Sequence, residues 1–164
     1  MNLNLFVLGE TDESVLAVKI MEGNEIINMM ENRILQTANR LKVVPNIARA
    51  VLIKNVWSKK LSLEAFDRDP DYIKNTFGFT VEEADERNLQ FMESSKVTCP
   101  VCYEEVDVND SIIIEECGHF ACIDCMRNQC MTKLDSGSEV VNTFCVSCTL
   151  NIPPEVFEKV LDAK

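Results

Sequence analysis

The sequence is poor in several features that define other classes of protein. Five glycines and five prolines among 164 residues are too few for a collagen-like or low-complexity chain. No apolar run approaches the roughly 20 residues that a membrane-spanning helix needs. The first ten residues contain no lysine or arginine and no small-residue cleavage site, so we expect no secretory signal peptide. A composition that is 46% hydrophobic and 26% charged is typical of an ordinary folded domain.

Basic residues are scarce relative to acidic ones. There are 16 lysines and arginines against 27 aspartates and glutamates, which gives a net charge of −11. A net negative charge of this size repels a phosphate backbone or an anionic lipid surface, and the sequence has no basic stripe to offset it. We therefore expect no nucleic acid and no membrane among the partners, and favour a protein with a basic docking face.

Cysteine is absent from the first 98 residues, and all eight cysteines lie between Cys99 and Cys148. Eight cysteines would allow about 105 disulfide connectivities. The absence of a signal peptide favours reduced thiols instead. Paired C-x-x-C spacings with the chain's one histidine, His119, between them are typical of a metal site. The pattern thus favours zinc over disulfides.

The spacing of the candidate ligands also predicts how they pair. Zinc takes four ligands, so seven cysteines and His119 make two sites with none left over. Residues 117–125 crowd four ligands into nine positions, which an interleaved arrangement relieves. We predict two Zn²⁺ ions, one held by Cys99, Cys102, Cys122 and Cys125 and the other by Cys117, His119, Cys145 and Cys148.

Residues 1–79 are predicted to form a helical bundle, although the first 20 residues fit either a strand or a helix. One apolar stripe at helical spacing runs from Ile27 to Leu41. Asn24, Asn46 and Ser58 are candidate N-caps of three successive helices. The inward positions we predict for the later helices are Ile47, Ala50, Val51, Leu61, Ala65 and Phe66, and Trp57 is predicted to anchor the core.

Residues 80–96 are predicted to form a linker helix. Thr80 followed by Glu83 is a capping-box pattern. Leu89 and Met92 are its predicted apolar anchors. Proline at 153 and 154 predicts a further helix over residues 153–164.

The order of three cysteines, one histidine and four cysteines resembles the C3HC4 RING finger, whose fold is a cross-brace. The match covers residues 97–152. Cys122-Ile-Asp-Cys125 followed by Met126 to Cys130 resembles the first RING of RING-between-RING ubiquitin ligases. Thr149, where many single-subunit RINGs have arginine, fits the same group. The implied fold class is small, zinc-stabilised α+β, a helical bundle followed by a RING.

The helical half resembles the ubiquitin-associated-like domain that precedes the first RING in ariadne-type ligases. The best match covers residues 25–79, and the stretch from Val51 to Ser58 is the most similar part. This resemblance implies that a ubiquitin-like protein is a candidate partner of the helical domain.

The RING resemblance implies an E3 ubiquitin ligase, or the front part of one, that recruits a ubiquitin-charged E2 conjugating enzyme. By position, the implied E2 contacts are Val101, Gln129 and Val146. Gln129 stands where an aromatic residue is usual, and Val146 where proline is common. Cys130 is the only cysteine outside the ligand sets, and its spacing from Met126 and Leu134 predicts a core residue rather than a nucleophile. No catalytic residue is predicted.

Two other functions remain open from the sequence. A non-catalytic adaptor would bind an E2 or a ubiquitin-like protein without transfer, and the departures at Gln129 and Val146 favour it. A zinc-stabilised binder of nucleic acid or lipid is disfavoured by charge. We expect a cytoplasmic location, with the nucleus as the alternative.

Overall fold

The computed structural model describes residues 5–8, 18–137 and 143–162, with side chains in 22–137 and 143–162. The chain divides into two compact units, residues 1–63 and residues 64–164. Among the described residues, no helix combines the length and the apolarity that a bilayer crossing demands.

The first unit begins with a β-hairpin. Strand β1 (Leu5–Leu8) pairs antiparallel with β2 (Val18–Met21). Helices α1 (Gly23–Leu41) and α2 (Pro45–Lys54) follow, and α3 (Lys59–Arg68) runs across the boundary between the units. The helical character predicted for this region is confirmed.

The core of the first unit lies between α1 and α2. The inward face predicted for α2 is confirmed, since Ile47, Ala50 and Val51 are all buried. The stripe predicted on α1 is buried only at Ala38 and Leu41, at the end that packs on α2, whereas Ile27 is exposed. Helix α1 is therefore buried where it packs on α2 and more exposed elsewhere.

Two predicted N-caps are wrong for local reasons. Helix α1 begins at Gly23, before Asn24, because the Glu25 carboxylate accepts a hydrogen bond from the N–H of Glu22 at 3.1 Å. Helix α2 begins at Pro45, before Asn46, because proline suits the first helical position.

The turn between α2 and α3 holds the chain's single tryptophan. Trp57 is half-buried rather than a core anchor, and its carbonyl accepts a hydrogen bond from Arg33 Nη1 at 2.8 Å. Ser58 caps α3 as predicted, with its Oγ 3.3 Å from the N–H of Leu61. Leu61 is exposed and Ser62 is buried in its place, so the predicted inward face of α3 is wrong at that position.

The second unit continues with α4 (Tyr72–Phe77) and α5 (Val81–Glu93). Phe77 at the end of α4 and Phe79 in the link to α5 are both fully buried. The predicted capping box is confirmed. Thr80 Oγ1 accepts a hydrogen bond from the N–H of Glu83 at 3.2 Å, and the Glu83 carboxylate accepts one from the N–H of Thr80 at 2.9 Å.

The anchors predicted on α5 are wrong. Leu89 and Met92 are 61% and 79% exposed. The helix instead buries Ala84 and turns Phe91 towards Phe120, with 5.2 Å between the ring centroids. Its inner face is therefore offset from the one that hydrophobicity alone indicates.

The cysteine-rich region is built from two short hairpins and two helices. Strand β3 (Lys96–Thr98) pairs with β4 (Glu105–Asp107), and β5 (Ser111–Ile114) pairs with β6 (His119–Cys122), both antiparallel. Helices α6 (Ile123–Ser136) and α7 (Pro154–Asp162) pack together. The fully buried apolar side chains of this region include Ile114, Met126, Cys130, Leu150, Ile152 and Val160.

The predicted α+β class is confirmed by this mixture of helices and small antiparallel sheets. The domain ranges 1–79, 80–96, 97–152 and 153–164 stay predictions, since they concern independent folding. In the structure, α4 and α5 belong to the same compact unit as the cysteine-rich region.

Candidate metal centre

The structure brings the candidate ligands together in two groups of four. Within each group the ligand atoms lie within 4.8 Å of one another. We call Cys99, Cys102, Cys122 and Cys125 site 1, and Cys117, His119, Cys145 and Cys148 site 2. The membership of both groups is the interleaved pairing expected from the spacing.

The sulfur–sulfur distances fit ligands around a shared ion. Cys102 and Cys122 Sγ are 3.9 Å apart in site 1, and Cys117 and Cys145 Sγ are 3.8 Å apart in site 2. A tetrahedron with metal–sulfur bonds of about 2.3 Å, the Zn–S length, has edges of about 3.8 Å. A disulfide would need about 2.05 Å. All eight thiols are free, so the geometry is that of metal sites.

Site 1 is assembled by a tight turn and a strand end. Cys99 follows β3, and its N–H donates to the carbonyl of Glu104 at 2.9 Å. Tyr103 closes the turn in the left-handed region at φ 63°, with its N–H 2.9 Å from the Cys99 carbonyl. Cys122 ends β6, and Cys125 lies in the first turn of α6. The local backbone thus presents two pairs of sulfurs to one point.

The backbone around Cys99 stabilises its thiolate. Burial raises the pKa of this thiol, but N–H groups of Cys122, Cys102 and Val101 outweigh burial and lower the pKa to about 6. The N–H of Cys122 lies 3.4 Å from Cys99 Sγ. A thiolate is the form that binds a metal, so these donors favour ligation.

Site 2 has an unpaired ligand atom that an ion would satisfy. The Nδ1 atom of His119 is buried and has no hydrogen-bond partner among the described residues. Buried polar atoms are rarely left without a partner, so a metal bond at Nδ1 accounts for this one. The N–H of Ser147 lies 3.4 Å from Cys145 Sγ, which supports a thiolate there as well.

One strand links the two sites. Strand β6 begins with His119 of site 2 and ends with Cys122 of site 1. At about 3.3 Å per residue, the two ligands sit roughly 10 Å apart along the strand. The two sites therefore share a structural element.

Cys130, the one cysteine outside both sites, is fully buried on α6. Burial raises the pKa of its thiol to about 11. A reactive cysteine needs the opposite, a lowered pKa and access to solvent. The prediction that Cys130 is a core residue is supported by both observations.

We expect Cys130 to resist alkylation in the metal-loaded protein. At pH 8 a thiol with a pKa of about 11 is ionised in roughly one molecule in a thousand. Treatment with iodoacetamide followed by mass spectrometry should leave Cys130 unmodified, while the same reagent after chelation and denaturation should label all eight cysteines. Labelling of Cys130 in the native protein would contradict its assignment to the core.

The three residues proposed to contact a partner have different environments. Val101, between two ligands of site 1, is 48% exposed. Val146, between two ligands of site 2, is half-buried. Gln129 on α6 is half-buried, and its Nε2 donates to the carbonyl of Phe144 at 2.7 Å. That bond ties α6 to the loop of site 2.

Sequence reasoning missed two residues near the sites. Tyr103, directly after Cys102, is 80% exposed and thus adds aromatic surface beside Val101. Its position after a C-x-x-C pair was the available signal. Gly118, between Cys117 and His119, lies against helix α5, and a glycine between two ligands was the only sequence signal for that contact.

No model of a known protein family matches the chain. Curated relatives are found at low identity. Human "Cullin-9" is 23% identical over 79% of this chain and 5% of its own length. "E3 ubiquitin-protein ligase HEL1" of Saccharomyces cerevisiae is 25% identical over 79% of this chain and 24% of its own. "Probable E3 ubiquitin-protein ligase ARI1" of Arabidopsis thaliana is 27% identical over 77% of this chain and 19% of its own.

The chain spans at most about a quarter of the length of these relatives. Two of the three bear the name of an E3 ubiquitin ligase. Taken with the two interleaved ligand groups, these relatives confirm the resemblance to the RING of E3 ubiquitin ligases.

Proposed function

We propose that this chain is part of an E3 ubiquitin-protein ligase whose two-zinc RING recruits a ubiquitin-charged E2 and promotes ubiquitin transfer. The observation that carries the proposal is the pair of interleaved four-ligand groups in a chain whose curated relatives include named E3 ligases. The acidic surface of the chain suits a partner with a basic face.

We assign zinc to both sites. Thiolate and imidazole are the usual ligands of structural zinc, and closed sites hold four of them. Both groups offer four such ligands at the required spacing. When bound, the ions supply folding free energy and no redox chemistry. Thiolate ligands require a reducing compartment, so we place the protein in the cytoplasm or the nucleus.

The proposed E2-binding surface centres on Val101. This side chain is exposed on the loop that site 1 holds rigid, and Tyr103 lies beside it. Gln129 and Val146 are the further proposed contacts. Gln129 donates a hydrogen bond to the carbonyl of Phe144, which lies two residues before Val146. The exposed carboxylates of this region would draw in a basic partner; they include Glu104, Glu105, Asp107, Asp110 and Asp124.

In the proposed mechanism, this chain binds and orients the E2 and does not carry ubiquitin itself. A covalent carrier needs an accessible thiolate. Seven of the eight cysteines lie in the two sites, and Cys130 is buried with a raised pKa. Transfer therefore proceeds either directly from the E2 or through a thiol that these 164 residues do not supply.

The same observation on Cys130 favours a second function, a zinc-binding adaptor that binds an E2 or a ubiquitin-like protein without transfer. The two functions differ in one assay. The purified chain is incubated with a panel of ubiquitin-charged E2s, and loss of the E2–ubiquitin thioester to free lysine is followed beside NMR titration of the chain. Binding with faster discharge supports the ligase, and binding without it supports the adaptor. No shifts at Val101 with any E2 contradict the ligase and an adaptor that binds an E2.

Replacing Val101 by aspartate is expected to reduce E2 binding at least tenfold, because a charge would have to be desolvated in the apolar centre of the contact. Zinc content should stay at two ions, since the side chain is exposed. Titration calorimetry against the most responsive E2 measures the effect. The matched control is Leu89→Asp on α5, which adds the same charge at another exposed apolar site and should leave the affinity unchanged.

A further inference from the structure

Helix α5 holds the ligand loop of site 2 by side-chain hydrogen bonds. The Nη1 atom of Arg87 donates to the carbonyl of Cys117 at 2.9 Å. The Nδ2 atom of Asn88 donates to the carbonyl of Glu115 at 2.7 Å. Both acceptors belong to the turn that carries the first ligand of site 2. These bonds fix the turn from outside the ligand set.

The same turn lies in direct contact with the helix. Gly118 stands at φ 67°, and a Cβ built on it would come within 2.6 Å of the Ala84 carbonyl oxygen and of Arg87 Cβ. Two residues further on, the Phe120 ring contacts Phe91 of α5, with centroids 5.2 Å apart. Apolar contact therefore backs the hydrogen bonds.

The other ligand loop of site 2 is held by the end of α4. Thr149, which follows the ligand Cys148, donates its hydroxyl to the carbonyl of Thr76 at 2.7 Å. Its N–H lies 3.3 Å from the carbonyl of Phe77. The segment from α4 to α5 thus contacts both loops that supply site 2.

We infer that Arg87, Asn88 and Thr149 are positioning residues of site 2, which set its affinity for the metal without touching the ion. Groups that orient metal ligands from outside the coordination sphere typically change metal affinity by about 10–100-fold when they are removed. The inference concerns site 2 only. Arg87 and Asn88 bind carbonyls in the turn that carries Cys117. Thr149, next to Cys148, binds a carbonyl of α4.

The chain offers a natural reporter for the test. His119 is its only histidine, so the imidazole nitrogen signals in NMR report site 2 without ambiguity. The amide signals of Val101 and Cys102 report site 1. Titration of the zinc-loaded protein with EDTA then gives a midpoint for metal loss at each site.

Replacing Arg87 by alanine is expected to lower the EDTA midpoint at His119 about tenfold, with the His119 signals changing before those of Val101. Arg87→Lys, which keeps a cationic donor, should give an intermediate midpoint. The matched control on the same helix is Glu86→Ala, an exposed position that should leave both midpoints as in the natural protein.

Thr149→Val tests the other loop with a change of nearly equal shape. It removes the hydroxyl donor to Thr76 and keeps the backbone bond, so it remains informative even where Arg87→Ala does not fold. A lowered His119 midpoint in either variant supports the inference. An unchanged His119 midpoint in both variants, or loss of metal from site 1 ahead of site 2, overturns it. This outcome is independent of E2 binding.

Discussion

Replacing Cys99 by serine is expected to unfold the second unit and to leave the first unit folded. Cys99 is fully buried and is one of four ligands of site 1. A structural zinc contributes about 10–16 kcal/mol of apparent binding free energy, which equals or exceeds the whole stability of a typical domain. Because β6 joins the two sites, losing one ion also removes the support of the other.

Two residues that each occur once separate the units in this experiment. Trp57 lies in the first unit, so its fluorescence reports that unit, and His119 lies in the second. We expect native Trp57 emission and an unfolded His119 spectrum in the Cys99→Ser protein. The control is Cys130→Ser, the same exchange at a buried cysteine that is not a ligand, which should keep two zinc ions by native mass spectrometry. Joint unfolding of both units would contradict the division of the chain.

Gly118→Ala is expected to destabilise the zinc-loaded second unit by about 2–5 kcal/mol, the sum of a left-handed backbone cost and an overpacking cost. The new methyl group would lie 2.6 Å from a backbone oxygen of α5, which can give way only if the helix moves. Denaturant unfolding of the loaded protein, followed at His119, measures the loss. We also expect site 2 to release zinc earlier, because the turn would separate from Arg87.

The contact can be separated from the backbone cost with a second glycine. Gly78 has φ 86°, and a Cβ there would meet nothing within 4 Å. Gly78→Ala should therefore cost only the backbone part, about 1–2 kcal/mol. Equal losses in the two variants would show that the approach of α5 to Gly118 contributes nothing.

The features that the sequence predicted well are those with local causes. The grouping of ligands follows from the number of atoms that an ion binds and from the short spacing between Cys117 and Cys125. The Thr80 and Glu83 pair closes within one helical turn, so it needs no information from the rest of the chain.

The failures have tertiary causes. Leu89 and Met92 are hydrophobic residues near the end of α5, yet the buried face is selected by the Gly118 turn and Phe120, which lie some 30 positions away. Asn24 and Asn46 have good capping side chains, but the capping box at Glu22 and the proline at position 45 start the helices earlier. The structural preference of a single residue does not reveal that a helix approaches a glycine. It also does not reveal which of two helix-start signals prevails.

The contact between α5 and the Gly118 turn also determines where this protein can be divided. A chain shortened to begin at Lys96 would retain every metal ligand, and on motif alone it would look complete. It would nevertheless lose the ring that covers Phe120 and the guanidinium that binds the Cys117 carbonyl. An aromatic surface left bare in this way invites aggregation. The smallest unit worth expressing therefore starts upstream of Tyr72, before α4.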